Sequence, residues 1–145
     1  MPDMLDQGRR ILASQPFSVL LGAELLRLAE GRAELRIPIR AELKQQHGFV
    51  HGGVISYAAD NALTFAGGSA LGTGVVTAEF KINYLRPAQG DSLVARAAVV
   101  QCGRTQAVCR CDVFSSQQGA ERLCATAQGT VAKLAAPSEG PGRTA

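Results

Sequence analysis

The sequence predicts an α+β fold in which an antiparallel β-sheet wraps around one long central helix. Three observations carry that expectation. Residues 51 to about 70 form the one long, alanine-rich apolar segment, too long for a strand. Downstream of it, runs of period-two alternation are separated by tight turns, the pattern of a consecutive antiparallel meander. A helix apolar nearly all round must also be covered on most sides; a curling sheet does that, and a second subunit could complete the cover. At 145 residues and 46% apolar composition the chain fits one domain with a substantial core.

Residues 3–14 read as a short helix, with Met4, Leu5, Ile11 and Leu12 apolar and Pro16 ending it. "AELLRLAEGRAELRIPI" follows as two extended segments about a turn at Glu30-Gly31-Arg32, with Ala33, Leu35, Ile37 and Ile39 alternating against Arg32, Glu34, Arg36 and Pro38. "RAELKQQHGFV" lacks periodicity and reads as a loop. The central helix then runs from His51, with Gly67, Gly68, Gly72 and Gly74 as its breakers. "VVTAEFKINYL" alternates Val76, Ala78, Phe80, Ile82 and Tyr84 against Thr77, Glu79, Lys81 and Asn83. Pro87 and Gly90-Asp91 make the next turn. "SLVARAAVVQ", "TQAVCRCDVFS" and "RLCATAQGTVAKL" complete five or six strands, divided at Cys102-Gly103-Arg104 and Gln117-Gln118-Gly119. The expected domain spans 1–134, its N-terminal helix lying within 1–15, and the Pro/Gly/Ser-rich residues 135–145 form a disordered tail.

Composition removes several functional classes. The net charge of +3 comes from scattered Lys and Arg and gives no basic stripe for nucleic acid. "MPDMLDQGRRILAS" carries Asp3 and Asp6 and is neither a signal peptide nor a membrane span, so no membrane partner is expected and cytoplasm is the default. Cys102, Cys109, Cys111 and Cys124 show no CxxC spacing; Cys109 and Cys111 face one side of a strand and read as small core residues. His47 and His51 are four apart, but Gly48 and Gly52 make that stretch a poor helix and the chain has 2 histidines in all, so no metal site is expected.

The chemistry concentrates on the helix. Ser56, Asp60 and Thr64 recur at intervals of four and line one narrow polar stripe on an otherwise apolar element. An unpaired buried charge costs several kcal/mol, so Asp60 surfaces, pairs or works. It is either a structural carboxylate, capping a loop or pairing with an arginine across an interface, or a general base or nucleophile in a partly dry setting. The helix start favours the second. "HGG" puts unhindered N–H groups at a helix N-terminus, where unpaired donors and the dipole stabilise an oxyanion. A carboxylate plus an oxyanion site points to acyl transfer to water. Ser56 has no G-x-S-x-G around it and reads as a packing hydroxyl.

"QQHGFVHGGVISYAADNALT" followed by "TAEFKINYLRPAQGD" resembles the hotdog-fold acyl-CoA thioesterases of the PaaI type and is similar to 4-hydroxybenzoyl-CoA thioesterases, from about Gly22 to Leu134. The resemblance implies a single hotdog domain that hydrolyses acyl-CoA thioesters, with no cofactor beyond the CoA of the substrate. By position it makes Asp60 the catalytic carboxylate and the Gly52 backbone N–H the group that polarises the thioester carbonyl. His51 then fixes the turn, and Gln45 falls where relatives carry Asn or Gln near the thioester or the water. Thr77 matches a Ser/Thr that holds the attacking water in some members, and Thr64 a threonine implicated in others. A homodimer or homotetramer with active sites at the interface is also implied. The CoA end is expected near Arg86-Pro87 and Gly103-Arg104-Thr105, whose arginines and amides suit phosphates. Two alternatives follow from the same fold. A non-catalytic acyl-CoA-binding module is expected to carry an attached DNA-binding region, which residues 1–21 are too short to supply. An acyl-thioester hydratase or dehydratase needs a histidine paired with the acid, and His51 occupies the oxyanion turn instead. Phe49, Tyr57, Leu63 and Phe65 are the expected apolar pocket lining, compatible with aryl or medium-length fatty acyl groups.

Overall fold

The computed structural model describes residues 2–72 and 74–135, so the tail expected after Ala135 lies outside the described residues. Asp3 caps the first helix, α1 (Met4–Ala13), by accepting from the Asp6 amide at 2.8 Å. That helix ends before Pro16, as the sequence suggests, but Pro16 also opens a second one not expected from the sequence, α2 (Pro16–Leu21). Proline suits a first helical turn, where its preset φ fits and its missing N–H had no intrahelical partner anyway. Gly22, at φ +72°, closes α2 in the left-handed conformation.

The strands are β1 (Glu24–Ala29), β2 (Arg32–Pro38), β3 (Val75–Tyr84), β4 (Ser92–Cys102), β5 (Gln106–Gln117) and β6 (Ala120–Lys133), with the central helix α3 (Gly52–Leu71) between β2 and β3. They form one antiparallel sheet in the order β1-β2-β4-β5-β6-β3. The expected meander therefore holds for β4-β5-β6 but not for β3, which pairs with β6 at the far edge while β4 pairs with β2. Twenty helical residues separate β2 from β3, so no tight turn obliges them to lie side by side.

The sheet wraps α3, which packs on all six strands. Ala58, Ala59, Ala62, Leu63 and Ala66 on the helix are at most 1% exposed, facing Leu35, Ile37, Leu93, Val113 and Val131 from the sheet. Gly67 and Gly68, expected to break the helix, lie inside it. A Cβ on Gly67 would come within 2.8 Å of Val131, so glycine is what lets α3 press against β6. Gly72 at φ +104° ends the helix. Cys109, Cys111 and Cys124 are buried in this core and Cys102 is exposed; burial pushes the three thiols up to about 11, about 12 and about 11. No helix of the described residues is long and apolar enough to cross a membrane.

One irregularity positions the site. Strict alternation along β3 would turn Val76 and Ala78 to the same face as Phe80 and Ile82. The ladder with β6 instead slips after Thr77, which faces Val131, to Glu79, which faces Thr130, leaving Ala78 as the extra residue of a β-bulge. Val75 and Thr77 thereby join Phe80 and Ile82 as the half-buried set, while Val76 (46% exposed) and Ala78 face outward.

Candidate active site

The bulge brings Thr77 to the polar stripe of α3. Its Oγ1 donates to the Asp60 carboxylate at Oδ1, 2.5 Å away. Thr64, one turn after Asp60, lies with its Oγ1 2.8 Å from Thr77 Oγ1 and also donates to the Asp60 carbonyl at 2.8 Å. Thr77 has one proton and gives it to Asp60, so the contact between the two hydroxyls draws on the single Thr64 proton, which is shared between Thr77 Oγ1 and the Asp60 carbonyl. Thr64, Thr77 and Asp60 thus form one directed chain, all three half-buried, which fixes the carboxylate rotamer. Among the described residues Oδ2 of Asp60 has no hydrogen-bond partner.

A second cluster forms at the start of α3. His51 is the N-cap, its Nδ1 accepting from the Gly53 amide at 2.8 Å, which places the ring proton on Nε2. The amides of Val54 and Ile55 turn back to the His51 carbonyl. Among the described residues, the Gly52 N–H is left without an acceptor. Gly52 lines a cleft of about 350 Å³ together with Gln45, Phe49, Tyr84, Arg86 and Pro87. Gln45 bends onto its own loop, its Oε1 accepting from the His47 amide at 2.5 Å. Tyr84, absent from the sequence-derived candidates, braces the turn: its hydroxyl donates to the Gly52 carbonyl at 3.0 Å, and Ser56 Oγ lies 2.5 Å from it. Ser56 is thus tied to Tyr84 and not poised as a nucleophile.

The structure does not bring the two clusters together. Gly52 and Asp60 sit eight residues apart on one helix, so their backbones are separated by about 12 Å along the axis, and one carbonyl cannot touch both. The third expected set, Gly103, Arg104 and Thr105, forms the exposed β4–β5 turn. That turn is held beside the end of β6 by the Lys133 amide on the Thr105 carbonyl at 2.8 Å, and Leu134 in turn bonds Gly74 just before β3. Arg86 follows the opposite end of β3. The ten residues of that strand place the two arginine turns about 33 Å apart within one chain.

A further polar group was not legible as such. Tyr57, expected as apolar lining, donates its hydroxyl to Ser18 Oγ at 2.5 Å; Ser18 donates to Gln15 Oε1 at 2.6 Å, and Asn61 Nδ2 donates to Tyr57 Oη at 2.8 Å. Burial raises the Tyr57 hydroxyl above its ordinary range. The network ties α2 and the α1–α2 turn to α3. Beside it a cavity of about 350 Å³ opens between α1 and α3, lined among others by Gln15, Asn61, Thr64 and Phe65. Of the other expected lining residues, Leu63 is fully buried in the core and Phe49 belongs to the cleft at Gly52.

Comparison with known proteins bears on the family and the fold. Residues 47–121 match the family model of the thioesterase superfamily. The acyl-coenzyme A thioesterase PaaI of Escherichia coli strain K12 is 31% identical over 99 residues, 68% of this chain and 70% of that one. A solved thioesterase family protein from Silicibacter pomeroyi superposes with a TM-score of 0.84 at 38% identity, covering 90% of this chain and 97% of that one. The solved E. coli PaaI protein from the phenylacetic acid degradation operon gives 0.78 at 26% identity, covering 90% and 96%.

Proposed function

The chain belongs to the thioesterase superfamily, with the hotdog fold, and from that premise we propose that it hydrolyses acyl-CoA thioesters to the free acid and CoA. The observation that carries the proposal is the Asp60 carboxylate, fixed at one oxygen by Thr77 and open at the other. Asp60 takes a proton from water as the water oxygen bonds to the thioester carbon, or its Oδ2 attacks that carbon directly and water cleaves the resulting anhydride. In both routes the carbonyl oxygen becomes an oxyanion and accepts from the free Gly52 N–H, where the positive end of the α3 dipole adds to the stabilisation. The oxyanion collapses as the C–S bond breaks and CoA leaves as its thiolate, before water cleaves the anhydride in the second route, and the proton taken from water passes to the thiolate. A thiolate leaves readily, so the site needs no strong general acid. Arg86 and Arg104 serve the phosphates of CoA.

Because Gly52 and Asp60 cannot meet on one helix, the working site in this proposal is shared between two copies of the chain. β3 is an edge strand with Val76 and Tyr84 exposed and an exposed Leu85 just after it, and an unpaired edge is a template for a further strand. Antiparallel pairing of two β3 edges about Phe80 sets Glu79 opposite Lys81 of the second copy. It also carries the Tyr84–Gly52 end of one chain to the Thr77–Asp60 end of the other, and each Arg86 toward the other chain's Arg104 turn. A homodimer, or a homotetramer built from such dimers, then holds one complete site for each chain.

The test is free-thiol release from acetyl- to palmitoyl-CoA, benzoyl-CoA and phenylacetyl-CoA by wild type and Asp60→Asn. Asparagine keeps the shape and removes the charge. Wild type hydrolyses part of the panel and the variant loses about 10²-fold or more with its fold intact. Equal hydrolysis by the two proteins overturns the role of Asp60, and wild-type binding without hydrolysis of any ester overturns the activity.

A further inference from the structure

We propose that the cavity between α1 and α3 receives the acyl group of the thioester, and that it selects an unbranched alkyl chain of up to about ten carbons. The proposal rests on the thioesterase reading above. Its geometric basis is Thr64, which belongs both to the hydrogen-bonded chain that holds Asp60 and to the cavity wall. A carbonyl within reach of Asp60 therefore sits at the mouth of this cavity, and the carbon chain behind it has the cavity to enter. The other cleft, at Gly52, is bordered by Arg86 and suits the anionic CoA end instead.

Shape and lining define the acyl class. Along α3 the wall runs from Asn61 through Thr64, Phe65 and Gly68 to Gly72, about 16 Å of helix, so the space is elongated. Its volume of about 350 Å³, at about 30 Å³ for each water-sized group, holds roughly a dozen heavy atoms. Beyond Thr64 the wall is largely apolar, with Met4, Ile11, Leu28, Phe65 and Val75, and the side-chain amide of Gln7 on α1 turns to the Pro2 carbonyl. The hydroxyl in that region, on Ser69, accepts from the Gly31 amide and shares its one proton between the Ala29 and Ala66 carbonyls, so it offers nothing to a polar substituent. The polar groups Gln15 and Asn61 stand near the mouth, tied to one another through Ser18 and Tyr57. A plain alkyl chain meets this surface without leaving a buried polar group unpaired.

The width is set by α1. Gly8 packs that helix so closely on β1 that a Cβ there would lie 2.6 Å from Leu25 Cδ2 and 2.7 Å from Leu28 Cδ2. Ile11, one turn on, lines the cavity yet is 43% exposed, so its side chain can be changed without opening the core. Ile11 is thereby a specificity-determining residue supplied by the N-terminal helix.

The experiment measures kcat/KM over straight-chain acyl-CoAs from butanoyl to palmitoyl for wild type, Ile11→Trp and Ile11→Ala, with thermal unfolding as the check on fold. Wild type declines beyond about decanoyl. Ile11→Trp fills the space and lowers the decanoyl-to-butanoyl ratio about tenfold or more, the scale on which a pocket rejects an extra methylene. Ile11→Ala moves the decline to longer chains and remains informative if the tryptophan variant does not fold. An unchanged chain-length profile in the folded variants overturns the acyl assignment while leaving thioester hydrolysis standing. A wild type that hydrolyses no ester in the series, nor benzoyl- or phenylacetyl-CoA, overturns the thioesterase reading and this assignment with it; turnover confined to the aryl esters overturns the alkyl selection alone.

Discussion

Replacing Thr77 with valine tests the link between the β3 bulge and the chemistry. Valine keeps the volume and branching of threonine and suits a strand, so the change removes one hydroxyl and little else. That hydroxyl is the hydrogen-bond donor on the Asp60 side chain among the described residues. A hydrogen bond to a charged group contributes about 1.5–3 kcal/mol. If all of it serves to hold the carboxylate in its reactive rotamer, the loss corresponds to about 10- to 150-fold in kcat, at about 1.4 kcal/mol for each factor of ten. The upper part of that range is expected, because Thr64 simultaneously loses its acceptor in Thr77 and turns its proton to the Asp60 carbonyl alone. Thiol-release kinetics on the best ester of the panel read the effect. A positioning role lowers kcat with KM little changed, and Thr77→Ser, which restores the hydroxyl, recovers most of the loss. A Thr77→Val enzyme with wild-type kcat refutes the argument that this contact orients Asp60.

Two further outcomes follow from the packing. Gly129 faces Phe80 across the β3–β6 ladder, and a Cβ there would lie 2.5 Å from Phe80 Cβ and 2.7 Å from the Glu79 carbonyl oxygen. Gly129→Ala therefore costs about 1–3 kcal/mol of stability in urea unfolding and, by shifting the bulge, reduces hydrolysis even where the protein is folded; full activity in the folded variant contradicts the coupling. Thiol labelling at pH 8 modifies Cys102 rapidly, while Cys109, Cys111 and Cys124, pushed up to about 11, about 12 and about 11, stay protonated and react only as the chain unfolds. Rapid labelling of more than one thiol in the native protein shows that the core opens more readily than this packing allows.

The helix and its stripe were legible because a single period fixes them: residues four apart share a face wherever the helix sits, and Asp60 with Thr64 do so. Thr77 was not placed by alternation. The β-bulge is a slip in pairing with β6, decided by the facing strand and invisible in a period-two pattern of β3 alone. Tyr84 carries no sequence signal for a related reason, since its hydroxyl gains a role only when the end of β3 meets the first turn of α3. Pro16 carries two meanings, a stop after α1 and a start for α2: Gly22 six residues on is its C-cap, and the pair bounds a short helix. That helix supplies Ser18, and with it the network that made Tyr57 and Asn61 polar partners instead of simple lining. Helix propensity is local and marks Gly67 as a breaker, whereas its reason is the side chain of Val131, more than sixty residues away in sequence.

The separation of the two clusters is also a consequence of what makes α3 central. An element sheathed by six strands and lined by residues such as Ala59, Ala62, Leu63 and Ala66 at 0% exposure cannot bend to bring its first turn to its third without breaking the core. Motion within one chain therefore cannot close the about 12 Å between Gly52 and Asp60. The rigidity that holds the free amide and the held carboxylate each in one geometry is the same rigidity that keeps them apart. In the proposed reaction, a second copy that presents its own rigid helix across the β3 edge closes the distance without deforming either chain. Each group then acts from an element whose position is set by packing rather than by a loop, as precise placement of a donor and a base requires.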